Sequence, residues 1–296
     1  MTLRSDPVTW RTTLSIAASP RLSSLLRTAR RASPVGLLAT AGHGGSSAKR
    51  HVAMAALGYV AAIGVAELVT TLGDPRVGIL IHTVILSALI LHAAFVAGHE
   101  QRGVLLSLCL APLIRILSLS MPLENIGITF WYIIVSVPLL VASAVVARTI
   151  GLTRDDLGLR MGSVPTQLLV GCSGLALGPV EYLILKPDPL IDQFSAQEFW
   201  LPALILLIGT GFTEEMLFRG LMQSAARGVF GGAAVIYVSV VFAVLHIGYQ
   251  SVLDVSFVFG VSLFFCLVVT RTRSILGVTL SHGITNILLF LVVPFI

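Results

Sequence analysis

The sequence predicts an all-α fold, a polytopic transmembrane helical bundle of eight or nine spans with a four-helix C-terminal core. Apolar residues make up 56% of the 296-residue chain and charged residues only 11%, against roughly 45–50% and about 25% in an average soluble domain. The mean hydropathy is +0.95. A hydrophobic core has finite volume, so a surplus of this size must face lipid rather than water. Stretches of about 20 residues almost free of charge recur from residue 52 to the C-terminus, which is the length a helix needs to cross a bilayer. An ordinary soluble enzyme is excluded. The net charge of +5 is spread over loops rather than gathered in one patch, so no nucleic-acid partner is expected. Cys109, Cys172 and Cys266 each fall in an apolar stretch with no CxxC spacing, which argues against a disulfide framework and a cysteine metal site.

Residues 1–50 carry eight Lys/Arg and one acid among many Ser, Thr and Ala, and are read as a basic, disordered cytoplasmic tail. The same composition would also suit an organelle transit segment. Nine apolar segments follow, near 52–72, 77–97, 103–120, 126–147, 164–185, 199–218, 229–247, 252–270 and 275–294. The third is short and holds Pro112 and Arg115, so it is either a span or a re-entrant helix. Residues 51–150 thus form an N-terminal set of helices and 164–296 a C-terminal set. Between them, Gly151–Arg160 holds Thr153 as an N-cap before Asp155 and Asp156, which predicts an amphipathic surface helix over 151–163. With the tail inside, the loops at 98–103, 148–163, 219–228 and 271–274 are inside too, and tail and loops hold sixteen of the nineteen Lys/Arg. Arg76, Arg115 and Lys186 are the exceptions, and the opposite-side segment 186–198 is acidic. The N-terminus is therefore expected in the cytoplasm.

The candidate chemistry lies in the last hundred residues. Residues 199–296 contain only three acids, and Glu214 and Glu215 stand side by side within an apolar helix. An ionisable side chain at bilayer depth costs at least about 2.5–3.5 kcal/mol, which makes it a functional candidate by default. Arg219 follows Glu215 by one helical turn and can neutralise it, leaving Glu214 about 100° away and free. The next apolar segments supply Phe242 with His246, and His282 with Asn286, each pair on one helical face. Counting 1.5 Å per residue from the helix ends puts Glu214, His246 and His282 at depths of about 20, 24 and 12 Å, which permits one buried site.

These residues, Glu214-Glu215-Met-Leu-Phe-Arg219, then Phe242-xxx-His246, then His282-xxx-Asn286, resemble the motifs of the CPBP family of intramembrane proteases. That family includes the CAAX prenyl endopeptidases of the Rce type and the bacterial Abi proteins. The resemblance covers about residues 199–294. It implies a catalytic C-terminal core that cuts peptide or membrane-protein substrates, lipidated ones among them, at the bilayer. Glu214 would be the general base, His246 would hold the attacking water, and His282 and Asn286 would stabilise the oxyanion. Glu215, Arg219 and Phe242 would support them. Chemistry agrees, since a carboxylate in a membrane cavity is suited to base catalysis and an Asn amide to oxyanion binding.

Glu214, His246 and His282 are also a two-histidine, one-glutamate set of the kind that binds catalytic zinc, so a metal version of the site stays open. Against it, no HExxH is present, and His99-Glu100 is followed by Gln, Arg and Gly. GxSxG and paired intramembrane aspartates are absent as well, which removes serine and aspartyl mechanisms. Glu67, His82, His92 and Glu181 also lie in apolar segments, and a transporter would use such groups for ion coupling. Interhelical hydrogen bonding is the simpler role for His82 and His92. A non-catalytic scaffold or immunity protein on the same fold is the third reading. The Ala/Arg/Val-rich composition favours a bacterial plasma membrane over an organelle membrane.

Overall fold

The computed structural model of the chain describes residues 35–121 and 127–296. It is helical, with no strand among the described residues. In order the helices are α1 (Val35–Leu72), α2 (Pro75–Phe95), α3 (His99–Leu108), α4 (Leu110–Ser120), α5 (Ile128–Thr149), α6 (Val164–Cys172), α7 (Gly174–Leu185) and α8 (Ala196–Ile205). After α8 the helix continues through Met222 into α9 (Gln223–Phe230), followed by α10 (Ala234–Val244), α11 (Val252–Thr272) and α12 (Leu276–Ile287). Local chemistry sets the boundaries. Asp74 accepts the Arg76 N–H at 2.8 Å with Pro75 in the first turn, so α2 starts there. Ser251 caps α11 by accepting the Asp254 N–H at 3.1 Å. Gly231, at φ +56°, ends the long helix before α10.

Among the described residues, eight helical runs are long and apolar enough to cross a membrane. α3 with α4 forms one, α6 with α7 another. The run Ala196–Tyr249 has 54 residues, far more than the roughly 20 of one crossing, and the break at Gly231 divides it into two arms. The chain is an integral membrane protein. Its outward side chains fit that solvent: Leu72, Leu80, Phe95, Leu169 and Leu183 all point away from the interior. The interior is built around the helix that carries Glu214, where Leu217, Phe218 and Leu221 pack with Leu105 and Leu108 of α3, Val238 and Val241 of α10, and Phe265 of α11.

Three boundary expectations change. Residues 1–34 lie outside the described residues, but helix α1 (Val35–Leu72) already covers residues 35–50, part of the stretch read as tail. The surface helix expected over 151–163 is a series of turns. Thr153 and Asp156 do cap each other, at 2.8 and 3.2 Å, and the Thr153 hydroxyl and N–H hold Asp156 below the usual carboxylate range. Gly151, Gly158 and Gly162 all take positive φ, so no helix propagates from that cap. Finally, 219–228 is helix rather than loop, and Arg219 is buried within it. Of the two compact units into which the chain divides, the second runs from Ala48 to Ile296, and within it the N- and C-terminal sets of helices pack as one body.

Close helix crossings position the site. A Cβ on Gly211 would sit 3.0 Å from the backbone N of Gly283, which lets the Glu214 helix lie directly against α12. Gly174 and Gly178 of α7 meet the other side of α12, where a Cβ would be 2.3 Å from the Ser281 carbonyl and 2.8 Å from that of Thr285. Their small-xxx-small spacing therefore serves internal packing.

Candidate active site

Around Glu214 the helix widens. Leu206–Phe212 and Met216–Met222 are π-helical, flanking an α-helical turn at Thr213–Glu215. Such widened turns recur at functional sites, and they break the 3.6-residue counting by which faces are read from sequence. Within them Thr210 and Glu214 both reach one cavity of about 80 Å³. The cavity is also lined by Phe242 and His246 of the α10 arm and by His282 and Asn286 of α12. Three helices thus bring four of the expected polar groups to one place.

Glu215 does not face that cavity; it is fully buried and holds two partners. Its Oε1 lies 2.9 Å from Arg219 Nη1 and 2.8 Å from His282 Nδ1. Arg219 is buried with it, its guanidinium 4.4 Å from the Phe242 ring centroid and 5.4 Å from that of Phe265. Aromatic faces cover the guanidinium where no acceptor reaches it, an arrangement attractive for a cation out of water. This gives Phe242 a definite job, since the same ring also packs 4.7 Å from the His246 ring.

Hydrogen-bond partners fix both histidines. The Phe242 carbonyl can only accept, so His246 donates its Nδ1–H to it at 2.9 Å and leaves Nε2 with a lone pair. The Glu215 carboxylate likewise accepts from His282 Nδ1, and Nε2 of His282 then lies 3.8 Å from Glu214 Oε2. Glu214 keeps 32% of its side-chain surface exposed and His282 12%, against none for Glu215, so the first two are the groups a reactant can touch. Asn286 donates from Nδ2 to Thr210 Oγ1 at 2.8 Å, and because the Thr210 hydroxyl proton goes to the Leu206 carbonyl, the amide's NH₂ end is fixed.

The donor set does not form a metal shell. Among the described residues no three His, Cys, Asp or Glu side chains are placed to hold one ion. His282 and His246 each use Nδ1 for a hydrogen bond, to Glu215 and to a backbone carbonyl, which leaves both Nε2 atoms uncommitted, whereas Glu215 is turned away from the cavity. The zinc version on Glu214, His246 and His282 thus finds no support in the spacing of these side chains, and the burial of Glu215 leaves it unable to act as base in such a site.

Sequence reasoning did not assign Thr210, Tyr132, Glu181 or Tyr249 to the site, yet all four line the cavity. Only Glu181 had a signal, as a charge in an apolar segment. Of the other intramembrane groups, His92 meets the Tyr59 hydroxyl at 3.3 Å. His82 and Arg115 both lie against Glu67, at 3.2 and 2.7 Å, as charge contacts rather than aligned hydrogen bonds.

Comparison with known proteins bears on this segment. Residues 196–288 match the family model described as type II CAAX prenyl endopeptidase Rce1-like. The match runs from the start of α8 to the end of α12 and includes all the motif residues. It supports a protease acting in a membrane context on peptide or protein substrates. Comparison with curated proteins and with solved structures gives no match.

Proposed function

We propose that the protein is a glutamate-dependent intramembrane endopeptidase of the CAAX type. The observation that carries this reading is the convergence of Glu214, His246, His282 and Asn286, contributed by three helices, on one cavity. In the proposed reaction His246 Nε2 accepts a hydrogen bond from water, and Glu214 removes the water's other proton as its oxygen attacks the scissile carbonyl. Glu214 passes that proton to the nearby Nε2 of His282, whose Nδ1–H stays on Glu215. The resulting Nε2–H and the Asn286 amide then donate to the oxyanion, where one such donor is typically worth about 2.7–4 kcal/mol. Collapse of the intermediate returns the proton through Glu214 to the leaving amine. Glu215, Arg219 and Phe242 do no chemistry in this scheme; they hold His282 and His246 in the useful tautomers.

Substrates are peptide segments entering from the bilayer or its cytoplasmic face, with a prenylated C-terminus the class favoured by the family match. The N-terminus lies in the cytoplasm, a reading supported by the distribution of Lys and Arg between the two sets of loops. The bacterial plasma membrane is the proposed location.

Peptide termini in membranes from cells expressing wild type or Glu214→Ala at matched abundance test the proposal. Glu214→Ala and His246→Ala are expected to abolish the new termini while leaving expression intact. Full proteolysis by the Glu214→Ala protein would overturn the mechanism. Turnover by the purified protein is expected to withstand chelation, and loss of activity restored by added zinc would reinstate the metal version.

A further inference from the structure

We infer that Arg115, contributed by the N-terminal helices, is the anchor for a carboxylate on the substrate; the inference rests on the protease reading above. Arg115 stands within α4 in an apolar run, one of three basic residues that the loop pattern does not account for. Its Nε lies 2.7 Å from Glu67 Oε1. Glu67 and His82 are completely buried, but the Arg115 side chain keeps 18% of its surface exposed.

That exposure is toward the site. Arg115, Ser118 and Trp131 wall a cavity of about 200 Å³ whose other wall includes Glu214, His246 and Tyr249. The guanidinium reaches across toward the turn after His246, where a Cβ on Gly248 would lie 3.5 Å from Arg115 Nη2. Nε is thus turned to Glu67 and the terminal nitrogens to the cavity. Among the described residues Glu67 is the sole acidic partner within ion-pair reach.

A guanidinium presents a planar fork that matches a carboxylate with two parallel hydrogen bonds. Glu67 offsets the standing charge, which allows the fork to remain in the bilayer between substrates. Because the same cavity contains Glu214, the carboxylate it takes belongs to residues within a few positions of the scissile bond. Either a free chain terminus or an acidic side chain provides that chemistry.

The test uses the full-length protein in liposomes and farnesylated peptides of one sequence in three forms: free C-terminal carboxylate, C-terminal carboxamide, and carboxamide with glutamate as the last residue. Wild type is expected to cleave the free-acid form with a KM about tenfold below that of the plain carboxamide at similar kcat, the size of effect a charge-assisted hydrogen bond supplies. The double variant Glu67→Gln/Arg115→Gln removes both charges and leaves neither buried alone, and it is expected to erase the difference. Arg115→Lys is expected to retain part of it. A low KM for the glutamate carboxamide assigns the carboxylate to a side chain, and a high one to the chain terminus. Equal KM values for acid and carboxamide in wild type overturn the inference and leave the protease reading intact. Cleavage of none of the three counts against the protease reading instead. Binding of the same peptides to the Glu214→Gln protein then decides the anchor, with equal affinity for acid and carboxamide overturning it.

Discussion

The N-terminal and C-terminal helices hold the same three residue types in the same arrangement, a buried glutamate between an arginine and a histidine. In the first, Glu67 lies 2.7 Å from Arg115 and 3.2 Å from His82; in the second, Glu215 lies 2.9 Å from Arg219 and 2.8 Å from His282. The difference is which member touches open space. Arg115 borders a cavity while His82 is sealed, whereas His282 borders a cavity while Arg219 is sealed beneath Phe242 and Phe265. The same residue types thus present a cation to open space in one place and an imidazole in the other, with the glutamate hydrogen-bonded to both partners only in the second. The exposed member decides what the cluster can do, and the buried glutamate decides how well that member is held.

Removing the central glutamates should separate the two clusters most sharply. Glu215→Ala leaves Arg219 buried without a counter-charge, and is expected to cost about 3–5 kcal/mol and to abolish turnover, read as unfolding temperature in detergent and as peptide cleavage. Glu67→Ala leaves Arg115 beside a cavity that can admit water, so the expected loss is smaller, about 1–3 kcal/mol. Equal losses would mean that the difference in exposure has no energetic consequence.

A smaller effect is expected for Arg219→Lys. The ammonium keeps the charge on Glu215 but loses the flat contact with Phe242 and Phe265, at a cost of about 1–2 kcal/mol. Its abundance should fall while its pH profile of turnover keeps the wild-type shape, because Glu215 still holds His282. A displaced profile would show that Arg219 tunes the histidine directly. Smallest of all, His92→Phe removes only the contact to Tyr59, and about 1 kcal/mol or less is expected, with proteolysis unchanged. A large loss of activity there would reopen the transporter-like role for the N-terminal groups.

Much of this was legible in the chain. Hydropathy is a local property, so the membrane class and most of the spans followed from composition and run length. Glu214, Glu215, Arg219, Phe242, His246, His282 and Asn286 stood out because polar atoms are costly in lipid and are rare there. The Glu215–Arg219 pair was readable too, being only one helical turn apart. The turns at 151–163 and the burial of Arg219 were misjudged because glycine φ angles and aromatic cover are set by neighbours far away in sequence.

By itself the sequence determined the solvent of this protein, its helical class and the residue types available for chemistry. Only the tertiary structure decided that Glu215, not Glu214, would grip His282, that Thr210 would orient Asn286, and that Arg115 would line a cavity together with Glu214 and His246. The reason is physical. Helices apolar on every side carry no stripe to say which face turns inward, so rotation and crossing are set by close contacts such as Gly211 on Gly283, and by widened turns that shift the register of everything beyond them.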